Sequence, residues 1–160
     1  ALRYGNAHPN IVPYETVSTA DGTMALAVGN DAQFTRMCDL LGVAGMAQDP
    51  LYANNAARVS NRAGLMETLR AQFRLRTTEQ WTDLLLAAGI PAAPVNSVAD
   101  ALSDPQLLSR AMVQSVPHPT AGTIRLLGPV AKLSRTPAVI RSAPPLLGAD
   151  TNRILAESGM

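Results

Sequence analysis

Hydrophobic and polar positions follow two regimes along the chain. In the first half, Tyr14, Thr16, Val17 and Thr19 favour a pleated strand, and Met24–Val28 runs apolar after Asp21-Gly22. Glycine reaches positive φ without a Cβ clash, so this stretch predicts a β-hairpin with a tight turn at Asp21-Gly22. Gly5, Asn6, Pro9 and Asn10 mark a loop ahead of it. Gly29-Asn30-Asp31 supplies a helix cap, and Phe34, Met37, Cys38 and Leu41 then repeat at i, i+3, i+4 and i+7. That spacing predicts a helix over Asp31–Leu41, stopped by Gly42. Gly45–Ala57 reads as a loop, with Asp49-Pro50 and Asn54-Asn55 as turn formers. A second helix is expected from Ser60 or Asn61, burying Leu65, Met66, Leu69 and Phe73. Thr77 and Gln80 match the capping-box pattern, opening a third helix that turns Trp81, Leu84, Leu85 and Ala88 inward and ends at Gly89.

The second half is less periodic. Ile90–Val95 is short and apolar, but Pro91 and Pro94 cannot donate to a ladder, so it is expected as an edge strand or an extended connector. Asn96 or Ser97 can cap a short helix through Leu102, and Asp104-Pro105 restarts one through Arg110. Met112–Val116 and Thr123–Leu127 predict a second hairpin with a longer loop through Pro117 and Gly122. Gly128–Leu147 carries four prolines and no clear period, as an extended segment laid over another surface would. Asp150–Ser158 reads as a terminal helix with Asp150 as cap and Gly159 as stop. The chain opens on a loop at Ala1 with no methionine, which is the expectation for a piece of a longer polypeptide.

Composition narrows the class. One Trp, three Tyr and two Phe in 160 residues leave the core to Leu, Val, Ile, Met and Ala. Thirteen basic residues against twelve acidic ones, without a basic stripe, argue against nucleic acid as a partner. Arg70, Arg74 and Arg76 are read as a solvated helix face. Cys38 is the single cysteine, so no internal disulfide forms, and its apolar setting predicts an inert thiol. No apolar run approaches the ~20 residues needed to span a bilayer. With no secretory pattern either, a cytoplasmic protein without membrane partners is expected.

Candidate chemistry is thin. His8 and His118 lie far apart, each before a proline, and neither has a carboxylate at metal-ligand spacing, so no metal site is expected. There is no G-x-S-x-G elbow and no glycine-rich phosphate loop. His118 is read as an exposed loop residue, and His8 as part of a loop able to project side chains. From the residues alone, the chain is an α+β domain with no self-contained catalytic set.

Several stretches, taken together and in order, resemble the C-terminal part of the class III (family III) CoA-transferases. That family includes formyl-CoA transferase, carnitine CoA-transferase-like proteins and α-methylacyl-CoA racemase. The similar pieces are Gly5–Tyr14 (GNAHPNIVPY), Thr19–Phe34 (TADGTMALAVGNDAQF), Gly89–Asn96 (GIPAAPVN), Asp104–Met112 (DPQLLSRAM), His118-Pro119 with Gly122, Leu133–Pro137 (LSRTP) and Pro144–Gly159 (PPLLGADTNRILAESG).

The resemblance implies a small α/β domain of antiparallel hairpins and helices, followed by an extended segment and helix that return to a Rossmann-like large domain. It places a linker and active-site loop at 1–11, the small domain at 12–116 and the return segment at 117–160. It further implies an interlocked homodimer, with acyl-CoA and carboxylic acids as substrates and no tightly bound cofactor. Transferases of this family use an aspartate of the large domain as nucleophile, giving an acyl–aspartyl anhydride and then an aspartyl-CoA thioester. No aspartate here matches it, so no catalytic residue is assigned. In formyl-CoA transferases a glycine-rich loop shields the intermediates. Here Gly5-Asn6-Ala7-His8-Pro9-Asn10 stands in its place, with one glycine, which speaks against formyl-CoA:oxalate exchange. Gly5, Asn6 and His8 are the candidate substrate-binding residues. A racemase, which moves an α-proton with an acid/base pair, and a catalytically inert chain that only dimerises or binds a partner are the alternatives.

Overall fold

The predicted first hairpin forms: β1 (Tyr14–Ser18) and β2 (Thr23–Ala27) pair antiparallel, with Tyr14 opposite Ala27 and Ser18 opposite Thr23. They belong to a computed structural model that describes residues 3–159. Contacts divide the chain into two compact units, Ala1–Val95 and Asn96–Met160. The boundary expected at 116/117 refers to segments of a longer polypeptide, and in this chain it falls inside a strand, Val113–His118.

In the first unit, β3 (Ala92–Pro94) adds antiparallel to β2, giving the order β1-β2-β3. Pro91 before it and Pro94 at its end are tolerated because β3 is an edge. α1 (Asp31–Leu40) starts where Asn30 accepts a hydrogen bond from the Gln33 N–H, and it buries Phe34, Met37 and Cys38. Gly42 follows in the left-handed region at φ 73°, as the stop signal predicts. α3 (Arg62–Phe73) buries Leu65, Met66, Leu69 and Phe73. α4 (Thr78–Ala87) has the predicted reciprocal box between Thr77 and Gln80. Trp81 is a core anchor: its indole Nε1 donates to the Phe73 carbonyl at 2.7 Å, and the two rings meet edge-on at 5.5 Å.

The stretch read as a loop to Ala57 contains a 3-10 turn at Ala44–Ala47 and a short helix, α2 (Asn55–Ser60). Asn54 caps α2 by accepting from the Ala57 N–H, so what looked like a turn dipeptide is a cap. The helix escapes periodicity analysis because its buried residue is Arg58, a charged side chain with no exposure.

The core of this unit runs from Val12 on the entrance to β1, through the inner faces of α1 and α3, to Ile90 before β3. Three polar residues are buried with it: Glu15, Thr19 and Arg58. Glu15 pairs with Arg70 on α3, so Arg70 is not simply a solvated residue.

The second unit holds α5 (Val98–Ala101), α6 (Pro105–Ser109), β4 (Val113–His118), β5 (Gly122–Leu127) and α7 (Thr151–Glu157). Ser97 and Asp100 form a capping box, and Asp104 caps α6 with Pro105 in its first turn. The β4–β5 loop is shorter than predicted, because the ladder continues to His118 opposite Gly122. The His118 ring closes the turn: its Nδ1 accepts from the N–H groups of Thr120 at 3.3 Å and Ala121 at 3.1 Å. Asp150 sits before α7 but does not cap it. Its carboxylate accepts instead from Arg153 at 3.1 Å. Residues 128–150 contain no helix or strand, in keeping with the extended reading. Among the described residues, the fully buried hydrophobic side chains lie between Val12 and Ile90, so the second unit contributes none.

Candidate functional site

The loop before β1 lies along the free edge of the sheet. An edge strand leaves unpaired N–H and C=O groups, and here the loop takes two of those on β1. The His8 N–H donates to the Tyr14 carbonyl at 2.8 Å, and the Thr16 N–H donates to Asn6 Oδ1 at 3.4 Å. Asn6 Nδ2 also donates to the Thr16 hydroxyl. Asn6 therefore acts as a one-residue substitute for a neighbouring strand.

Gly5 makes the turn that brings this about. Its φ is 63°, a region costly for residues with a Cβ, and the Ala7 N–H closes on the Tyr4 carbonyl at 3.0 Å. The space around Gly5 is open, so it is the backbone angle and not crowding that calls for glycine.

His8 is half-buried and its ring is held from two sides. It stacks on Tyr14, with centroids 5.3 Å apart and planes 16° from parallel. Its Nδ1 accepts from the Asn10 N–H at 3.1 Å. An accepting Nδ1 puts the proton of the neutral ring on Nε2. Nε2 has no partner among the described residues, which leaves a donor edge available on a fixed ring.

Three side chains from the following helices fasten the rest of the loop. Arg62 donates to the carbonyls of His8 at 2.8 Å and Pro9 at 2.9 Å, and its guanidinium lies 4.7 Å from the Tyr4 ring centroid. Asn55 bridges Asn10 and Val12, donating to the Asn10 carbonyl at 2.8 Å and accepting from the Val12 N–H at 3.1 Å. Arg58 donates to the Val12 carbonyl at 2.7 Å. Sequence reasoning brought out Gly5, Asn6 and His8, which the fold gathers in one loop, but it passed over Asn55, Arg58 and Arg62. Asn55 and Arg58 lie on α2 and Arg62 opens α3 beyond the break at Asn61, so no single helical period joins them.

Tyr14 links the loop to the outer face of the sheet. Beside it lies a shallow apolar depression of about 300 Å³, walled by Ala25, Ala27, Leu86, Pro91 and Ala93. Among the described residues no group of three or more His, Cys, Asp or Glu could hold a metal ion. No described helix is long and apolar enough to cross a membrane.

Two titrating groups elsewhere are perturbed. Asp21, in the β1–β2 turn, has its pKa lowered first by the Thr78 N–H and then by the Thr78 hydroxyl, which donate to it at 2.8 and 2.9 Å. Burial pushes the Cys38 thiol up to about 11, consistent with an inert core thiol.

Comparison with known proteins adds a family context. The family model described as CoA-transferase family III matches residues 1–151. Succinyl-CoA:glutarate CoA-transferase of Mus musculus is 38% identical over 157 residues, covering 98% of this chain and 36% of the relative. Succinate–glutarate CoA-transferase of Agrobacterium fabrum is 38% identical over 161 residues, covering 98% of this chain and 39% of the relative. A crystal structure of a CAIB/BAIF family protein from Brucella suis superposes with a TM-score of 0.86 at 37% identity, covering 97% of this chain and 40% of that one. The chain thus spans 36 to 39% of the length of these curated relatives.

Proposed function

The chain belongs to CoA-transferase family III, and we propose that it forms the C-terminal portion of an enzyme that moves CoA between carboxylic acids. The observation that carries this reading is 38% identity, over nearly the whole chain, to a protein named for succinyl-CoA:glutarate transfer. The substrate pair we assign is accordingly two short dicarboxylic acids.

The chemistry follows the family scheme. An aspartate of a Rossmann-like large domain outside these residues attacks the acyl-CoA thioester carbonyl, forming an acyl–aspartyl anhydride and releasing the CoA thiolate. The thiolate attacks the aspartyl carbonyl, leaving an aspartyl-CoA thioester and the free donor acid. The acceptor carboxylate then reverses both steps, and the aspartate is regenerated. CoA enters and leaves as substrate, with no tightly held cofactor.

In this scheme residues 1–11 are a linker and active-site loop, 12–116 the small domain, and 117–160 the return to the large domain of a cytoplasmic homodimer. Exposed apolar side chains of the second unit, Leu127, Val130 and Leu147 among them, support a covering surface for that segment. Gly5, Asn6 and His8 face substrate together. Gly5 sets the turn, Asn6 ties the loop to β1, and His8 presents its Nε2–H to a substrate carboxylate or carbonyl oxygen.

The test is turnover by the full-length protein. With succinyl-CoA and glutarate, glutaryl-CoA and free succinate should form in equal amounts, and hydroxylamine should trap the enzyme thioester. Deuterium exchange at Cα of a 2-methylacyl-CoA without transfer would establish the racemase alternative instead. Absence of both reactions would leave an inert dimerising or partner-binding chain.

A further inference from the structure

Resting on the reading that the Gly5–Asn10 loop faces substrate, we propose that Arg62 is the positioning residue that holds the His8 Nε2 edge toward it. Arg62 spans both limbs of the loop. One terminal nitrogen, NH2, donates to the His8 and Pro9 carbonyls, and the guanidinium plane covers Tyr4 on the other side of the Gly5 turn. The Tyr14 stack and the Asn10 N–H fix the His8 ring relative to its own backbone. Arg62 fixes that backbone relative to α3.

A residue placed only for stability would be satisfied better. The second terminal nitrogen, NH1, is buried with no hydrogen-bond partner among the described residues. Arg62 also makes no ion pair among them, unlike Arg58, Arg70 and Arg153. A buried donor left unpaired is a penalty to folding, so this side chain contributes less to the fold than its contacts suggest. Meeting two carbonyls through one nitrogen while Cζ lies over the Tyr4 ring takes a flat, extended cation, which lysine lacks.

The experiment is a double-mutant cycle in the full-length protein, using Arg62→Ala, Arg62→Lys, His8→Ala and the double variant His8→Ala/Arg62→Ala. Arg62→Ala should lower kcat/KM for CoA transfer by about 10²-fold, the scale expected when a contact group is misplaced by an ångström. Arg62→Lys, which keeps charge and length should the alanine variant fail to fold, should not restore it. In the His8→Ala background the further loss should fall below about 3-fold, because Arg62 acts through His8.

A readout without turnover accompanies the kinetics. The His8 amide, which donates to the Tyr14 carbonyl, should exchange slowly in the wild type and several-fold faster in both Arg62 variants. An unchanged exchange rate, or equal losses with and without His8, overturns the role of Arg62. No CoA transfer by the wild type, or full activity of His8→Ala, overturns the functional reading on which it rests.

Discussion

The guanidinium of Arg58 lies 4.3 Å from the centroid of the Phe34 ring, fully enclosed, at the point where α2 meets α1. From there its three nitrogens reach the Val12 carbonyl at 2.7 Å, the Tyr52 carbonyl at 3.1 Å and Asp31 at 2.7 Å. The ion pair is lopsided, since the Asp31 side chain is 58% exposed and stays hydrated whether or not Arg58 is present.

Replacing Arg58 with methionine should therefore cost stability chiefly through the two stranded carbonyls and not through Asp31. At about 1–3 kcal/mol for each buried polar group left unpaired, the expected loss for two is about 2–6 kcal/mol. Asp31→Asn keeps an acceptor in place and should cost about 1 kcal/mol or less, as exposed partners do. Urea unfolding of both variants checks the order. A larger loss for Asp31→Asn would mean that the charge, and not the carbonyl bonds, holds this junction.

Asp21 provides an acid-side signature. Its lowered pKa comes from hydrogen bonds donated by Thr78 to the charged form. A group whose folded pKa is depressed stabilises the fold above its unfolded value and loses that contribution as pH falls through the folded one. The melting temperature of Asp21→Asn should thus lie below that of the wild type at pH 7. The gap should close as the pH drops below the ordinary 3.8. Thermal unfolding across pH 2.5–7 measures it, and a constant gap would assign the effect to packing.

Cys38 gives the opposite slope at the alkaline end. Between its ordinary 9.0 and about 11, the unfolded thiol releases its proton while the folded one, desolvated by burial, keeps it. A raised folded pKa contributes fully below the unfolded value and is lost as pH rises through the folded one. Stability should decline from pH 9 to pH 11 in the wild type and less so in Cys38→Ala. A thiol reagent at pH 8 should leave the native protein unlabelled and react once guanidinium is added. Rapid labelling of the native protein would contradict the burial.

How far the sequence foretold this depends on where each signal resides. The β1–β2 hairpin, α1 and the Thr77–Gln80 box rest on residues within a few positions of one another, and local periodicity reads them correctly. α2 did not register, because its interior residue is an arginine whose acceptors are Val12 and Tyr52. Glu15 was equally opaque: a carboxylate on the core side of a strand makes sense only with Arg70, 55 positions later. The same holds for the site. Gly5, Asn6 and His8 were legible from loop chemistry and resemblance, whereas Asn55, Arg58 and Arg62, which pin that loop, act across 43 to 54 residues of chain.

Asn6 offers the most direct check on how the loop is held. Its amide supplies both an acceptor for the Thr16 N–H and a donor to the Thr16 hydroxyl. Alanine removes both, whereas aspartate keeps the acceptor, and the Thr16 hydroxyl can rotate to donate to it. Hydrogen exchange at the Thr16 amide should accelerate by about 5-fold in Asn6→Ala, the equivalent of one hydrogen bond worth about 1 kcal/mol. In Asn6→Asp it should stay within about 2-fold of the wild type, by the same reckoning. The Val17 amide, next along the strand but turned toward Met24 on β2, serves as the control. Equal acceleration at both positions would mean that the strand as a whole opens. Protection of Thr16 would then come from the sheet, and the loop would merely rest against it.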